Sequence, residues 1–242
     1  MIWFLRHSER LAFDEDKWVK SKRYKTNKFD APLKKETGEK IAINATNKII
    51  NNDKNIDQID YIYSSPMTRT IQTAIFVQKQ IKKKTGRFIP IRLEYGLKEM
   101  HVLLPFQNMQ YNSKTNKYYF KLNKKETIVL DSSLNKVNLN KKYKKYIDDK
   151  YKSLYSYQDV KYCDFNYLDG ANRVLKTIKY INKQKNKNYI VVSHCISIIN
   201  MVPYFTKKIL PPEVQEKIYG KNWCSLVGIN NNKIIYNPLT DS

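Results

Sequence analysis

The chain has no run of about 20 consecutive apolar residues, so no membrane-spanning helix is expected. It also lacks the pattern of an export signal, because charge arrives at Arg6 after an apolar run too short for one. Cysteine is scarce: Cys163, Cys195 and Cys224 form no metal-spaced pair. An odd number of thiols without an export signal points to reduced cysteines in an intracellular, cytoplasmic protein, with the nucleus also open to it. Acidic residues are few, 22 against 45 Lys and Arg, which leaves a net charge of +23. Such a charge suits a nucleic-acid or anionic-lipid partner. Composition offers a plainer account, which is preferred. The chain holds 24 asparagines with abundant Lys, Ile and Tyr, the mixture an A/T-rich genome encodes, and its lysines are spread along the chain. On either account a positive field draws in anionic substrates such as phosphate esters.

What is present is enough for a sizeable core. The 242 residues are 41% hydrophobic, and a single domain over 1–242 is expected. Strand and helix signals alternate. "MIWFL", "IDYIYSS", "FIPIRLEYG" and "NYIVVSH" read as strands, the last as a near-continuous apolar run suited to a sheet covered on both faces. "TGEKIAINATNKIINN" and "ANRVLKTIKYINKQ" have helical spacing. "SPMTRTIQTAIFVQKQIKKK" predicts a helix with Ser65 as N-cap and Pro66 at its first position. "PPEVQEKIYG" predicts a short helix, and "WCSLVGINNNKIIYN" a closing hairpin turning at "NNN". Together these predict a three-layer α/β fold: a mainly parallel central sheet with helices on both faces.

One segment departs from this pattern. From about 102 to 164 there is no clean alternation, and the stretch holds 13 lysines, no arginine and many tyrosines. It is too long for an ordinary loop and is read as an insertion that caps one end of the sheet. Its lysines and tyrosines suit single-stranded nucleic acid in kind, but no recognition motif accompanies them.

The strand ends carry the chemistry. Arg6 and His7 follow the first strand, Ser64 and Ser65 the second, with Arg69 about a turn into the next helix. Glu99 follows the third and His194 follows "NYIVVS". In an open α/β sheet these ends face the ligand crevice. Arginine clamps phosphate through a planar fork of donors, a neutral imidazole is a competent nucleophile, and a carboxylic acid can protonate a leaving oxygen. Glu94 or Asp14 could serve in place of Glu99 in the last role. His101 is a further candidate for the pocket rim, with Ser8 and Ser64. Cys195 has no "C-x5-R" arrangement after it and reads as a small helix-start residue.

In order and spacing, "RHSER", "YIYSSPMTRTIQTA", "GLKE" and "VVSH" resemble the histidine phosphatase, or phosphoglycerate mutase-like, superfamily. The likeness is strongest to the group with the suppressor of T-cell receptor signalling and ecdysteroid-phosphate phosphatases. It covers nearly the whole chain and is weakest in the insertion. The resemblance implies a phosphoglycerate mutase-like fold and a phosphomonoester hydrolase. His7 would be the nucleophile, forming a phosphohistidine. Arg6, Arg69 and His194 would hold the phosphate, Arg10 would add a further contact, and Glu99 would be the proton donor. No metal and no cofactor are implied. The expected substrate is a phosphorylated small molecule or a phosphoprotein. No membrane is expected, nucleic acid is a less favoured partner, and a homodimer is compatible with the pattern.

The pattern is not followed throughout. Ser8 stands where the family has glycine, and in "DAPLKKETGEKIA" the family's "PLT-x-x-G" has an extra residue and lacks its threonine, a sign of an altered helix start. The mutase Trp-Asn after the first motif is replaced by "RLAFDEDKW", which argues against a sugar-phosphate mutase. A catalytically silent scaffold, or a nucleic-acid-associated subunit, is the alternative reading.

Overall fold

The computed structural model describes residues 1–12, 15–26, 30–100, 110–112, 117–121, 127–131, 141–156, 167–184, 188–220 and 222–239. The chain opens with β1 (Ile2–Arg6), whose four C-terminal residues are buried, as a strand covered on both faces requires. Two short helices follow, α1 (Asp16–Val19) and α2 (Lys22–Thr26), which the sequence pattern did not disclose. Helix α3 (Thr37–Asn52) matches the predicted span, with Gly38, Ala42, Ala45 and Ile49 on its buried face.

Strand β2 (Tyr61–Ser64) leads to α4 (Thr68–Thr85). Here the expected start is corrected: neither Ser65 nor Pro66 opens the helix, and Met67 is its extended N-cap residue. The cap comes from Asp30, whose carboxylate accepts from the Thr68 N–H and hydroxyl, both at 2.6 Å. Strand β3 (Ile91–Leu93) is followed by a 3₁₀ turn over Tyr95–Leu97. Next come β4 (Gln110–Asn112), β5 (Lys117–Lys121) and β6 (Thr127–Asp131), paired as an antiparallel sheet of their own.

Helix α5 (Tyr167–Asn182) begins four residues before the predicted "ANRV", with Asp169 in a first turn that favours negative charge. Then come β7 (Tyr189–Ser193), buried at every residue, α6 (Cys195–Thr206) and α7 (Pro212–Tyr219). Strands β8 (Leu226–Asn230) and β9 (Lys233–Tyr236) close the chain as a hairpin. Asn231 and Asn232 turn it at φ 47° and 62°, the left-handed region that asparagine tolerates best after glycine.

The main sheet has the order β3-β2-β7-β1-β8-β9. Its first four strands are parallel, β8 runs antiparallel to β1 and β9 antiparallel to β8, so the fold is α/β with helices on both faces. One face packs α3 and α4 around Trp3, Leu5, Ile62 and Ile190. The other packs α5, α6 and α7 around Phe4, Tyr63, Val191 and Val227. Alternate residues of β1 and β7 feed opposite faces, as the two-residue period of a strand dictates.

Residues 141–156, read from sequence as part of the insertion, belong to the body of the domain. Tyr143 packs into the α3–α4 core, Ile147 bridges to Ile91 on the edge strand, and Asp148 pairs with Arg92 at 3.0 Å.

Candidate active site

The parallel strands β1, β2, β3 and β7 all point their carboxyl ends to one edge, and the chemistry gathers there. His7 leaves β1 with its backbone N–H on the Ser193 carbonyl (2.9 Å), which locks the ends of β1 and β7 together. Its Nδ1 lies 2.8 Å from the Ser8 carbonyl. A carbonyl can only accept, so Nδ1 carries the proton and the neutral ring presents Nε2 as a lone pair. Burial, and then the nearby Arg69 charge, hold the His7 pKa well below its ordinary 6.5.

His194, fully buried at the end of β7, is held through the other nitrogen. Its Nε2 meets the Ser65 hydroxyl at 2.9 Å, and its Nδ1 faces the Glu99 carboxylate at 3.7 Å. The Glu99 carboxylate also forms an ion pair with the fully buried Arg69, the second residue of α4. Asp30 lies 3.8 Å from the same guanidinium.

Arg6 is gripped from beneath. Its Nη1 donates to the carbonyls of Ile218 and Tyr219 at 2.9 and 3.3 Å, and to that of Gly220. Trp223 lies under the guanidinium, 4.6 Å from ring centre to Cζ, and 5.6 Å from the His7 ring. The Arg6 Nε is buried with no hydrogen-bond partner among the described residues. An unsatisfied buried donor on a cation is costly, and an anion's oxygen is its natural complement.

The predicted residues therefore separate. Arg6, His7, Arg69, Glu99 and His194 form one cluster. Ser8 and Ser64 do not line its rim. The Ser8 hydroxyl donates to the Gly38 carbonyl at 2.6 Å, its N–H donates to the Thr73 hydroxyl at 3.0 Å, and the side chain is fully buried. Ser8 has no positive φ, so serine in place of the family glycine brings no backbone strain. A Cβ on Gly38 would stand 2.7 Å from the Glu9 carbonyl oxygen, so this close approach of α3 to the first motif needs glycine. Ser64 is equally buried and donates to the Ser65 carbonyl. Arg10 donates to the Leu11 carbonyl at 2.8 Å. His101 and Asp14 lie outside the described residues.

Glu94 is excluded as the acid. Its carboxylate is fully buried and accepts from Gly96 N, Leu154 N and the hydroxyls of Tyr151 and Ser153. It staples residues 151–154 to the sheet end. Burial pushes the Cys195 thiol up and the Cys224 thiol up to about 12, away from the thiolate form a nucleophile needs.

Three contributors escaped sequence reasoning, Trp223, Asp30 and Arg173, while the sequence places Ser65 at its strand end without its partner His194. Arg173 on α5 reaches across to the carbonyls of Gly96 and Lys98, at 2.6 and 3.1 Å, and fixes the backbone that delivers Glu99. A Cβ on Gly96 would collide with the Thr177 hydroxyl, so this turn also admits only glycine. No local signal announced these three residues.

His7, Glu99 and His194 each offer a ligand atom within 4.8 Å of the others, a spacing that a metal ion would also fit. Two buried guanidinium groups beside them favour an anion there over a cation.

Fold and cluster together define an α/β protein with a cationic, histidine-bearing pocket at the carboxyl ends of its parallel strands. The sequence profile of the histidine phosphatase superfamily (branch 1) matches residues 2–125, and the chain belongs to that superfamily. The match includes Arg6, His7, Arg69 and Glu99 and stops short of His194. The chain is similar in structure to the ecdysone phosphate phosphatase of Bombix mori, solved with tungstate, at a TM-score of 0.63 and 16% identity, over 98% of this chain and 92% of that one. It is also similar to Bacillus stearothermophilus YhfR, at a TM-score of 0.48 and 13% identity, over 98% and 94%. A mycobacterial glucosyl-3-phosphoglycerate phosphatase matches at a TM-score of 0.45 and 14% identity, over 93% and 88%. No curated protein matches the sequence. Among the described residues no helix is long and apolar enough to cross a membrane.

Proposed function

We propose that this protein is a metal-independent phosphomonoester hydrolase that works through a phosphohistidine on His7. The observation that carries the reading is the state of His7: pinned through Nδ1, kept neutral by burial, and flanked by two arginines. Superfamily membership supports it.

In this reading the phosphate dianion enters against Arg6, Arg69 and the His194 Nδ1–H, and competes with Glu99 for Arg69. The Glu99 carboxylate, released from Arg69, takes up a proton beside the bound dianion and turns toward the leaving oxygen. The His7 Nε2 lone pair forms a bond to phosphorus as the bond to the leaving oxygen breaks, and Glu99 gives that oxygen its proton. In the second half Glu99, now a carboxylate, takes a proton from water. The resulting hydroxide forms the new P–O bond while the N–P electron pair returns to Nε2. The guanidinium groups stabilise charge on the non-bridging oxygens in both steps. Losing one such donor costs about 10²–10³ in rate. The insertion over about 102–164, most of which lies outside the described residues, is proposed to help select the phosphorylated small molecule or phosphoprotein.

The test compares aryl and alkyl phosphates with Glu99→Gln. A nitrophenol leaves with little protonation, so its first step survives and phosphate accumulates on His7. An alkyl ester needs the proton and slows in its first step. Label on Cys195 or a serine, or activity abolished by a chelator and restored by a divalent ion, overturns the reading.

A further inference from the structure

A cleft among the described residues lies apart from the catalytic cluster. It lies between α3 and the chain from Lys217 to Pro238, and has a volume of about 470 Å³. That is within the range of about 300–1,000 Å³ typical of small-molecule sites. Lys48 and Asn44 of α3 form one wall, and Lys217, Asn222 and Trp223 the other. Ile41, Ala45 and Leu226 make an apolar floor, and among the described residues no acidic one lines it. Arg6, His7, Arg69, Glu99 and His194 take no part in its lining.

The segment that walls this cleft also supports the catalytic cluster. The carbonyls of Ile218, Tyr219 and Gly220, one to three residues past Lys217, hold the Arg6 guanidinium. Trp223 lines the cleft while supporting Arg6 and His7. Cys224 donates its N–H to the His7 carbonyl at 3.3 Å, and the Ser225 carbonyl accepts the Arg6 N–H at 2.9 Å. The Ser225 hydroxyl donates to the Lys217 and Asn222 carbonyls, tying the two ends of the segment together. Cys224 holds a left-handed φ of 58°, a conformation that persists where surrounding contacts impose it. A group wedged against Trp223 from the cleft side would therefore press on the residues that position Arg6.

We propose that this cleft binds a small organic anion with an aromatic or aliphatic body, and that its occupancy alters anion binding at Arg6 and His7 through Trp223. Two lysines on opposing walls supply the charge preference, and the apolar floor with the indole supplies the preference for an organic body. A bare inorganic ion would leave that floor uncovered.

The probe is 1-anilinonaphthalene-8-sulfonate, titrated by its fluorescence into the full chain. One saturable site is expected in the wild type and in His7→Ala, so the binding arm does not depend on phosphatase activity. Lys48→Glu with Lys217→Glu should weaken it at least tenfold while leaving the melting temperature unchanged. Tungstate then reports on the catalytic pocket. Its affinity should shift at least twofold and then level off as the probe saturates, reciprocally for the two ligands. Trp223→Phe should reduce that shift and retain the probe. Probe binding that survives the double charge reversal overturns the site. Tungstate affinity that keeps falling with added probe means a single shared pocket and also overturns it. A probe that binds without moving tungstate affinity overturns the coupling.

Discussion

His7 and His194 meet edge to face with ring centroids 5.3 Å apart, yet each is anchored through a different nitrogen. His7 spends Nδ1 on the Ser8 carbonyl, and His194 spends Nε2 on the Ser65 hydroxyl. The pair thus turns unlike faces to the pocket: a lone pair at the Nε2 of His7 and, opposite Glu99, the Nδ1 of His194. An attacking group and a charge-stabilising donor call for that asymmetry.

Replacing His7 by alanine should lower turnover by about 10⁴ or more with the fold intact, since loss of a nucleophile has effects of that order or larger. Rapid-quench labelling without acid should find phosphate on the wild-type histidine and none on the variant.

The lowered His7 pKa has a signed consequence for stability. Below pH 6.5 the unfolded chain takes up a proton on this histidine while the folded chain does not, so folding weakens as pH falls. The slope is up to about 1.4 kcal/mol per pH unit until the folded pKa is reached. Urea denaturation at pH 5 and pH 7 should show a larger loss for the wild type than for His7→Gln. For the same reason the acid limb of kcat/KM should fall below pH 6.5.

Ser65→Ala should disorient His194 without removing any charge from the pocket. Leaving a buried group unsatisfied costs about 1–3 kcal/mol, or about 5- to 150-fold in kcat/KM. Tungstate should still bind. An unchanged kcat/KM would show that the Ser65 contact does not orient the ring.

Ser8→Gly restores the residue of the family motif, yet it should not improve the enzyme. It deletes the bond to Gly38 and adds backbone freedom to the unfolded chain, together about 1–2 kcal/mol of stability. Activity should stay within a few-fold of wild type, because the hydroxyl points away from the cluster. Thermal melting with parallel assays on an aryl phosphate checks both halves.

Glu94→Gln should act on stability first. The buried carboxylate accepts four hydrogen bonds that hold residues 151–154, and an amide nitrogen cannot accept. A loss of about 3 kcal/mol is expected, with turnover per folded molecule largely kept. A variant as stable as wild type but inactive would instead place Glu94 in the chemistry.

The sequence by itself determined most strands and long helices of the main sheet and the ends from which the chemistry projects. The apolar run of β1 stops at Arg6 and His7, the span of α3 can be read from its spacing, and "NNN" marks the hairpin. Each of these signals is carried by neighbours within a turn or a pleat. Tertiary structure alone decided which side chains serve whom. Asp30 caps a helix 38 residues away, and Ser65 meets His194 across 129. Trp223 reaches Arg6 only because α7 and β8 pack beside β1. It also decided that Ser8 and Ser64 turn inward and that Glu94 is a staple while Glu99 faces the arginines. The physical reason is that periodicity records which face of an element is buried, whereas a polar partner is chosen when layers pack and every buried donor must find an acceptor.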